Sequence, residues 1–157
     1  MAAVVEKVRI VVKVDENPDL PDLGKYSGKP GPCAIDREER GDMGRNEFRY
    51  WNPSNHCPPQ DKDDERYIIE DYERMEAYAR GDWHMVGVRA EAHVLAGPKG
   101  AQTRQVLRSA GLWGIESDSE KSYFQEVAEE QYAELADILK DFGVTRIPPF
   151  KDAEWKE

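Results

Sequence analysis

The sequence predicts an α+β domain: an antiparallel sheet of about four strands with two helices packed on one face, in the order β-β-α-β-β-α. Three observations lead there. Val8, Ile10, Val12 and Val14 alternate with Arg9, Val11 and Lys13, the period of a strand with one buried face. Val86, Val88, Ala90, Ala92 and Val94 alternate with Gly87, Arg89, Glu91 and His93 in the same way. Two later stretches carry apolar residues at helical spacing instead.

In chain order, the first strand ends at the polar run Asp15-Glu16-Asn17-Pro18. Residues 16–45 hold nine of the prolines and glycines and read as a long surface loop. Glu47 to Asn52 reads as a second strand, with Phe48 and Tyr50 on one side and Arg49 and Trp51 on the other. A helix follows over residues 61–82. Asp61 or Asp63 caps it, Ile68, Tyr72, Met75 and Ala79 form its stripe, and Gly81 stops it. The strand over 86–94 turns through Gly97-Pro98-Lys99-Gly100 into a fourth strand, about 103–115, where Gly111 and Gly114 signal a bulge or a close backbone approach. Ser117 and Glu120 have capping-box spacing. The helix after them presents Phe124, Val127, Ala128, Tyr132, Leu135, Ile138, Leu139 and Phe142 before Gly143. Residues 144–157 read as a C-terminal tail, and the 157 residues together as one domain.

The net charge of −10 is unevenly spread. Residues 61–82 carry nine acids and four bases, and residues 116–141 carry nine acids and two bases. Both helices are therefore acidic, with Asp64, Glu73, Glu76, Glu126, Glu130 and Asp137 as candidate contacts for a basic partner groove of the kind that holds DNA. The opposite sheet face is expected to be mildly basic, with Arg49, Trp51, Arg89, Glu91, His93 and Arg108 as an alternative binding set. The overall negative charge argues against direct nucleic-acid binding, which needs clustered Lys and Arg.

No catalytic signature is present. Cys33, His56, Cys57, His84 and His93 lack the pair spacings that zinc requires, so no metal is expected. Cys57 with His84 or His93 has no local nucleophile signature, and Cys57 reads as a small buried hydrophobe beside a turn residue, His56. Among the carboxylates Glu70, Asp71, Glu73, Glu116 and Asp118 sit on helix surfaces or at a helix start, whereas Glu91 falls between Arg89 and His93 and suggests a cross-strand ion pair. No phosphate loop or dinucleotide glycine pattern occurs, so no cofactor is expected. Basic and aromatic residues are not interleaved in the manner of RNA-recognition modules. Trp83 and Trp113 flank strands and read as core-edge residues. With two cysteines, no leader-like segment and no long apolar run, the reading is a cytoplasmic, non-membrane protein.

Three segments carry a resemblance: Tyr50-Trp51-Asn52-Pro53; Asp71-Tyr72-Glu73-Arg74-Met75-Glu76 through Arg80-Gly81-Asp82-Trp83; and Gly111-Leu112-Trp113-Gly114-Ile115-Glu116-Ser117-Asp118-Ser119. Over residues 48–142 the chain resembles small acidic proteins encoded by tailed phages and prophages. No catalytic residue carries over from them. The resemblance implies a bacterial host's cytoplasm and a non-enzymatic protein that engages a host or phage protein, including as an inhibitor of host defence. The alternatives are a small-molecule or nucleotide binder, or small enzyme, using the basic sheet face, and a homo-oligomer formed through that face.

Overall fold

The computed structural model describes residues 3–44 and 46–157. Its elements are β1 (Val4–Val14), β2 (Gly24–Ser27), β3 (Ile35–Asp36), α1 (Arg37–Arg40), β4 (Tyr50–Pro53), α2 (Lys62–Arg80), β5 (Met85–Ala96), β6 (Thr103–Arg108), β7 (Leu112–Glu116), α3 (Lys121–Asp141), a 3-10 turn (Phe150–Asp152) and β8 (Glu154–Lys156). The α+β class holds, but its arrangement differs from the expected single sheet. The chain divides into two compact units where the sequence reads as one domain. One is built from the first 18 residues and His84–Glu157, the other from Asp19–Trp83.

In the larger unit the strand order is β6-β5-β1-β8, with β7 also paired to β5. β1 and β5 run antiparallel from Val4↔Leu95 to Val14↔Val86, with a bulge at Glu6. β8 lies parallel to β1, so the tail at 144–157 supplies an edge strand and the sheet is mixed rather than purely antiparallel. The expected fourth strand is two: β6 pairs with the C-terminal half of β5 and β7 with its N-terminal half. Gly111, at φ 90°, lies in the break between them. Two side chains of α3 close that break, since Gln131 Oε1 accepts from Gly111 N–H and Glu134 Oε1 from Ala110 N–H. Buried Ser109 also accepts from Ala90 N–H through its hydroxyl.

The core of this unit lies between one sheet face and α3. Val8, Ile10, Val86, Val88, Ala90, Ala92 and Val94 meet Val127, Ala128, Tyr132, Leu135 and Leu139. Both sets follow from the strand and helix periods seen in the sequence. α3 begins later than the capping-box spacing suggests. Its N-cap is Glu120, without a side-chain cap bond, because Ser117 extends the pairing of β7 and β5: its hydroxyl accepts from His84 N–H. The helix ends as expected at Gly143, whose φ is 98°, with Gly143 N–H and Val144 N–H returning to Lys140 and Leu139.

The smaller unit corrects the placement of the other helix. β4 sits in a three-stranded antiparallel sheet of order β2-β4-β3, so part of the long loop at 16–45 is sheet. Here α2 packs with Trp51, Ile68 and Tyr72 as the buried cluster. The two helices therefore cover different sheets. An amphipathic helix shows that it has an apolar stripe but not which sheet the stripe covers. Asp61 is the α2 N-cap, accepting from Asp64 N–H. Gly81 at φ 82° ends the helix.

Two further features tie this unit together. Cys33 and Cys57 form a disulfide, so Cys57 is not a free buried thiol, and the count of two unpaired cysteines no longer argues for a reducing compartment. Arg37, only 1% exposed, donates through Nε to Glu76 at 2.8 Å and through its terminal nitrogens to the carbonyls of Asp42, Asn46 and Phe48. This one side chain satisfies backbone acceptors that the irregular chain leaves open. Tyr26 also donates to Glu76, and burial, reinforced by that carboxylate, pushes its hydroxyl up to about 12.

Candidate functional site

The face of the larger sheet turned away from α3 is where the site takes shape. Alternation on β1 places Lys7, Arg9, Val11 and Lys13 there, opposite the core residues Val8 and Ile10. The register sets each beside a partner on β5: Lys7 with His93, Arg9 with Glu91, Val11 with Arg89, and Lys13 with Gly87. β6 continues two of these rows, with Val106 beside His93 and Arg108 beside Glu91. Successive rows are about 7 Å apart, twice the strand rise.

Glu91 is the centre of this face and is 7% exposed. Arg108 Nε donates to its Oε2 at 2.8 Å, and Arg89 Nη2 lies 3.2 Å from the same oxygen. Burial pushes the carboxyl upward, but the Arg108 hydrogen bond and the charges of Arg108, Arg89 and His93 outweigh it and hold the group below the ordinary range. One carboxylate thus serves two guanidinium groups, which leaves the trio with a net positive charge. Arg89 Nε is buried and has no hydrogen-bond partner, so its donor capacity is not exhausted. Arg9 and Lys13 make no ion pair among the described residues.

An open hollow of about 1140 Å³ takes in Arg9, Lys13, Arg89 and Arg108 of this face, with Lys156 and the acids Glu16, Glu91 and Glu157, and extends to Val12, Val86, Lys121 and Phe124 on the α3 side of the sheet. Against a chain at −10, this is a locally cationic surface. Trp155, 47% exposed on β8, borders the hollow. Trp113, 41% exposed on β7, corrects the expected core-edge role, which Trp83 fills. The Trp113 ring lies against Gly87. A Cβ there would fall 2.1 Å from the ring, so only glycine leaves room for it.

Of the sheet-face set read from the sequence, the fold brings together Arg89, Glu91, His93 and Arg108. Arg49 and Trp51 do not belong to this face. Trp51 is fully buried in the smaller unit, and Arg49 pairs with Asp36 at 2.8 Å and Glu38 at 3.0 Å. A single sheet would place them here, but β4 belongs to the separate β2-β4-β3 sheet. Arg9 and Lys13 belong to the site. Their alternation with Val8, Ile10 and Val12 was the available signal, and their register against Glu91 and Gly87 was not.

The acidic set is divided in the same way. Asp64, Glu73 and Glu76 are on α2, and Glu126, Glu130 and Asp137 on α3. Glu76 is taken up by Arg37 and Tyr26. Asp64 accepts from Gln60 N–H and lies 3.3 Å from His56, while Glu73 is 3.8 Å from Arg40. Glu126, Glu130 and Asp137 are exposed on α3 and make no ion pair among the described residues. Among the described residues, no group of three or more His, Cys, Asp or Glu is placed to hold a metal ion, and no helix is long and apolar enough to cross a membrane. No family model, curated protein or solved structure matches this chain.

Proposed function

We propose that this is a binding protein whose larger unit captures an anionic partner on the outer face of its sheet. The observation that carries this reading is the Arg89–Glu91–Arg108 group at the centre of the hollow. A buried carboxylate holds two guanidinium groups in place yet neutralises only one, and Arg9 and Lys13 on the same face make no ion pair among the described residues. Pre-ordered cations cost little further side-chain entropy when a ligand arrives, which favours anion capture over a merely solvated face. Titration with inorganic polyphosphate, read as a thermal shift, tests the reading. Wild-type protein should be stabilised at low salt, and the double substitution Arg9→Glu, Lys13→Glu should abolish the shift without altering the fold. Absence of any shift in the wild type at low salt would refute it.

A second surface has its own observation. Glu126, Glu130 and Asp137 are spaced along one side of α3 and exposed, a ridge suited to a basic protein partner from a host or phage. Charge reversal of Glu126 and Glu130 should release proteins captured on the wild type in low salt. Capture that survives both the reversal and high salt would remove this surface from consideration.

A further inference from the structure

We infer that the anionic partner of the sheet face is a single-stranded nucleic acid, with bases stacking on Trp113 and phosphates meeting Arg9, Lys13, Arg89 and Arg108. This rests on the anion-binding reading above and goes further by naming the ligand class. The first argument is the indole. Trp113 is seated on Gly87, which fixes the ring, yet 41% of the residue is exposed. A large aromatic group held in position and left open to solvent is what an unstacked base requires.

The second argument is placement. Trp113 projects over the row of Lys13 and Gly87. The next row along β5 holds Arg89, and the one after it Arg9, Glu91 and Arg108. An aromatic platform is therefore followed by cations at successive intervals of about 7 Å, all on one sheet face. A free inorganic anion would use the cations and have no use for the ring.

The third argument concerns the kind of strand. This face is an open sheet, and its cations and Trp113 all stand on strands, none on a helix that could enter a major groove. Stacking on Trp113 also demands a base already free of its neighbours. Both features favour single strands over duplexes. The chain's overall charge of −10 opposes nucleic-acid binding at long range, and it is the phosphate contacts that make affinity fall with salt. At contact, the ligand meets the local cations.

The experiment measures anisotropy of a labelled 20-nucleotide oligothymidine against the intact protein. Its comparisons are an abasic strand of the same length, inorganic polyphosphate and polyglutamate. Four phosphate contacts predict affinity about 50-fold weaker at 200 mM than at 50 mM salt. Trp113→Ala should weaken oligothymidine binding by at least about 5-fold and leave polyphosphate binding unchanged. Arg9→Glu with Lys13→Glu should abolish both. The abasic strand removes the base instead of the ring, so the stacking claim stays testable if Trp113→Ala does not fold. Equal affinity for oligothymidine and the abasic strand overturns the nucleic-acid inference and leaves anion binding standing. Tighter binding of polyglutamate overturns it in favour of an acidic protein segment. Binding of none of the four refutes both readings.

Discussion

Glu91 shows how one residue can organise a charged face. Its carboxylate is almost buried, and it stays ionised because Arg108 and Arg89 compensate for lost hydration. Its folded-state pKa is lowered, so the stability it contributes is present above its ordinary value. That stability is lost as the pH falls from about 4.5 through the lower folded value. Glu91→Gln should therefore cost about 1–2 kcal/mol at neutral pH, a figure held down by screening at half-exposed Arg108. The gap to wild type, measured as the urea midpoint against pH, should close in acid. A gap that is constant from pH 7 to pH 3 would show that the ion pairs are not its source.

At the scale of elements, the break between β6 and β7 sets the shape of the site. A continuous strand would keep Trp113 in register with its neighbours. The glycine at 111 and the two α3 side chains that close the break instead let β7 resume with its indole over Gly87. Gly87→Ala tests this directly. The added methyl must displace the ring, and a loss of about 1–3 kcal/mol should result. The Trp113 indole N–H resonance should move with it. An unmoved resonance would mean that the ring does not rest on this glycine.

For the whole molecule, the two units differ in how they are held. The larger has an extended apolar core between β1, β5 and α3, while the smaller has a compact cluster of Trp51, Ile68 and Tyr72 with partly buried Leu23, Tyr26, Ile35 and Met75 against it. A unit with so little core depends on cross-links and buried polar bracing, here the Cys33–Cys57 disulfide and the Arg37–Glu76 pair. Reduction of the disulfide releases a loop of 24 residues' separation and should cost about 3 kcal/mol. Hydrogen exchange should report this selectively. Amides of β4 and α2 should lose protection under reductant, and those of β5 and α3 should keep theirs. Equal loss in both units would show that they unfold together.

Periodicity alone was enough for β1, β5, α2 and α3. Each carries its apolar residues at the period of its element, and that pattern is written locally in residues such as Val8, Ile10, Tyr72 and Leu135. The glycine stops at 81 and 143 were legible for the same reason, since a left-handed residue ends a helix whatever surrounds it. The basic face was half legible. Arg89, Glu91, His93 and Arg108 could be assigned to one side of a hairpin, whereas the register of β1 against β5 was needed to add Arg9 and Lys13. Pairings between distant segments were decided only by the tertiary structure: β4 with β2 rather than with β1, β8 beside β1, Cys33 with Cys57, and Arg37 beneath the loop it braces. A strand's own sequence states which of its faces is apolar, but its neighbour is chosen by the burial and hydrogen bonding of the whole chain at once.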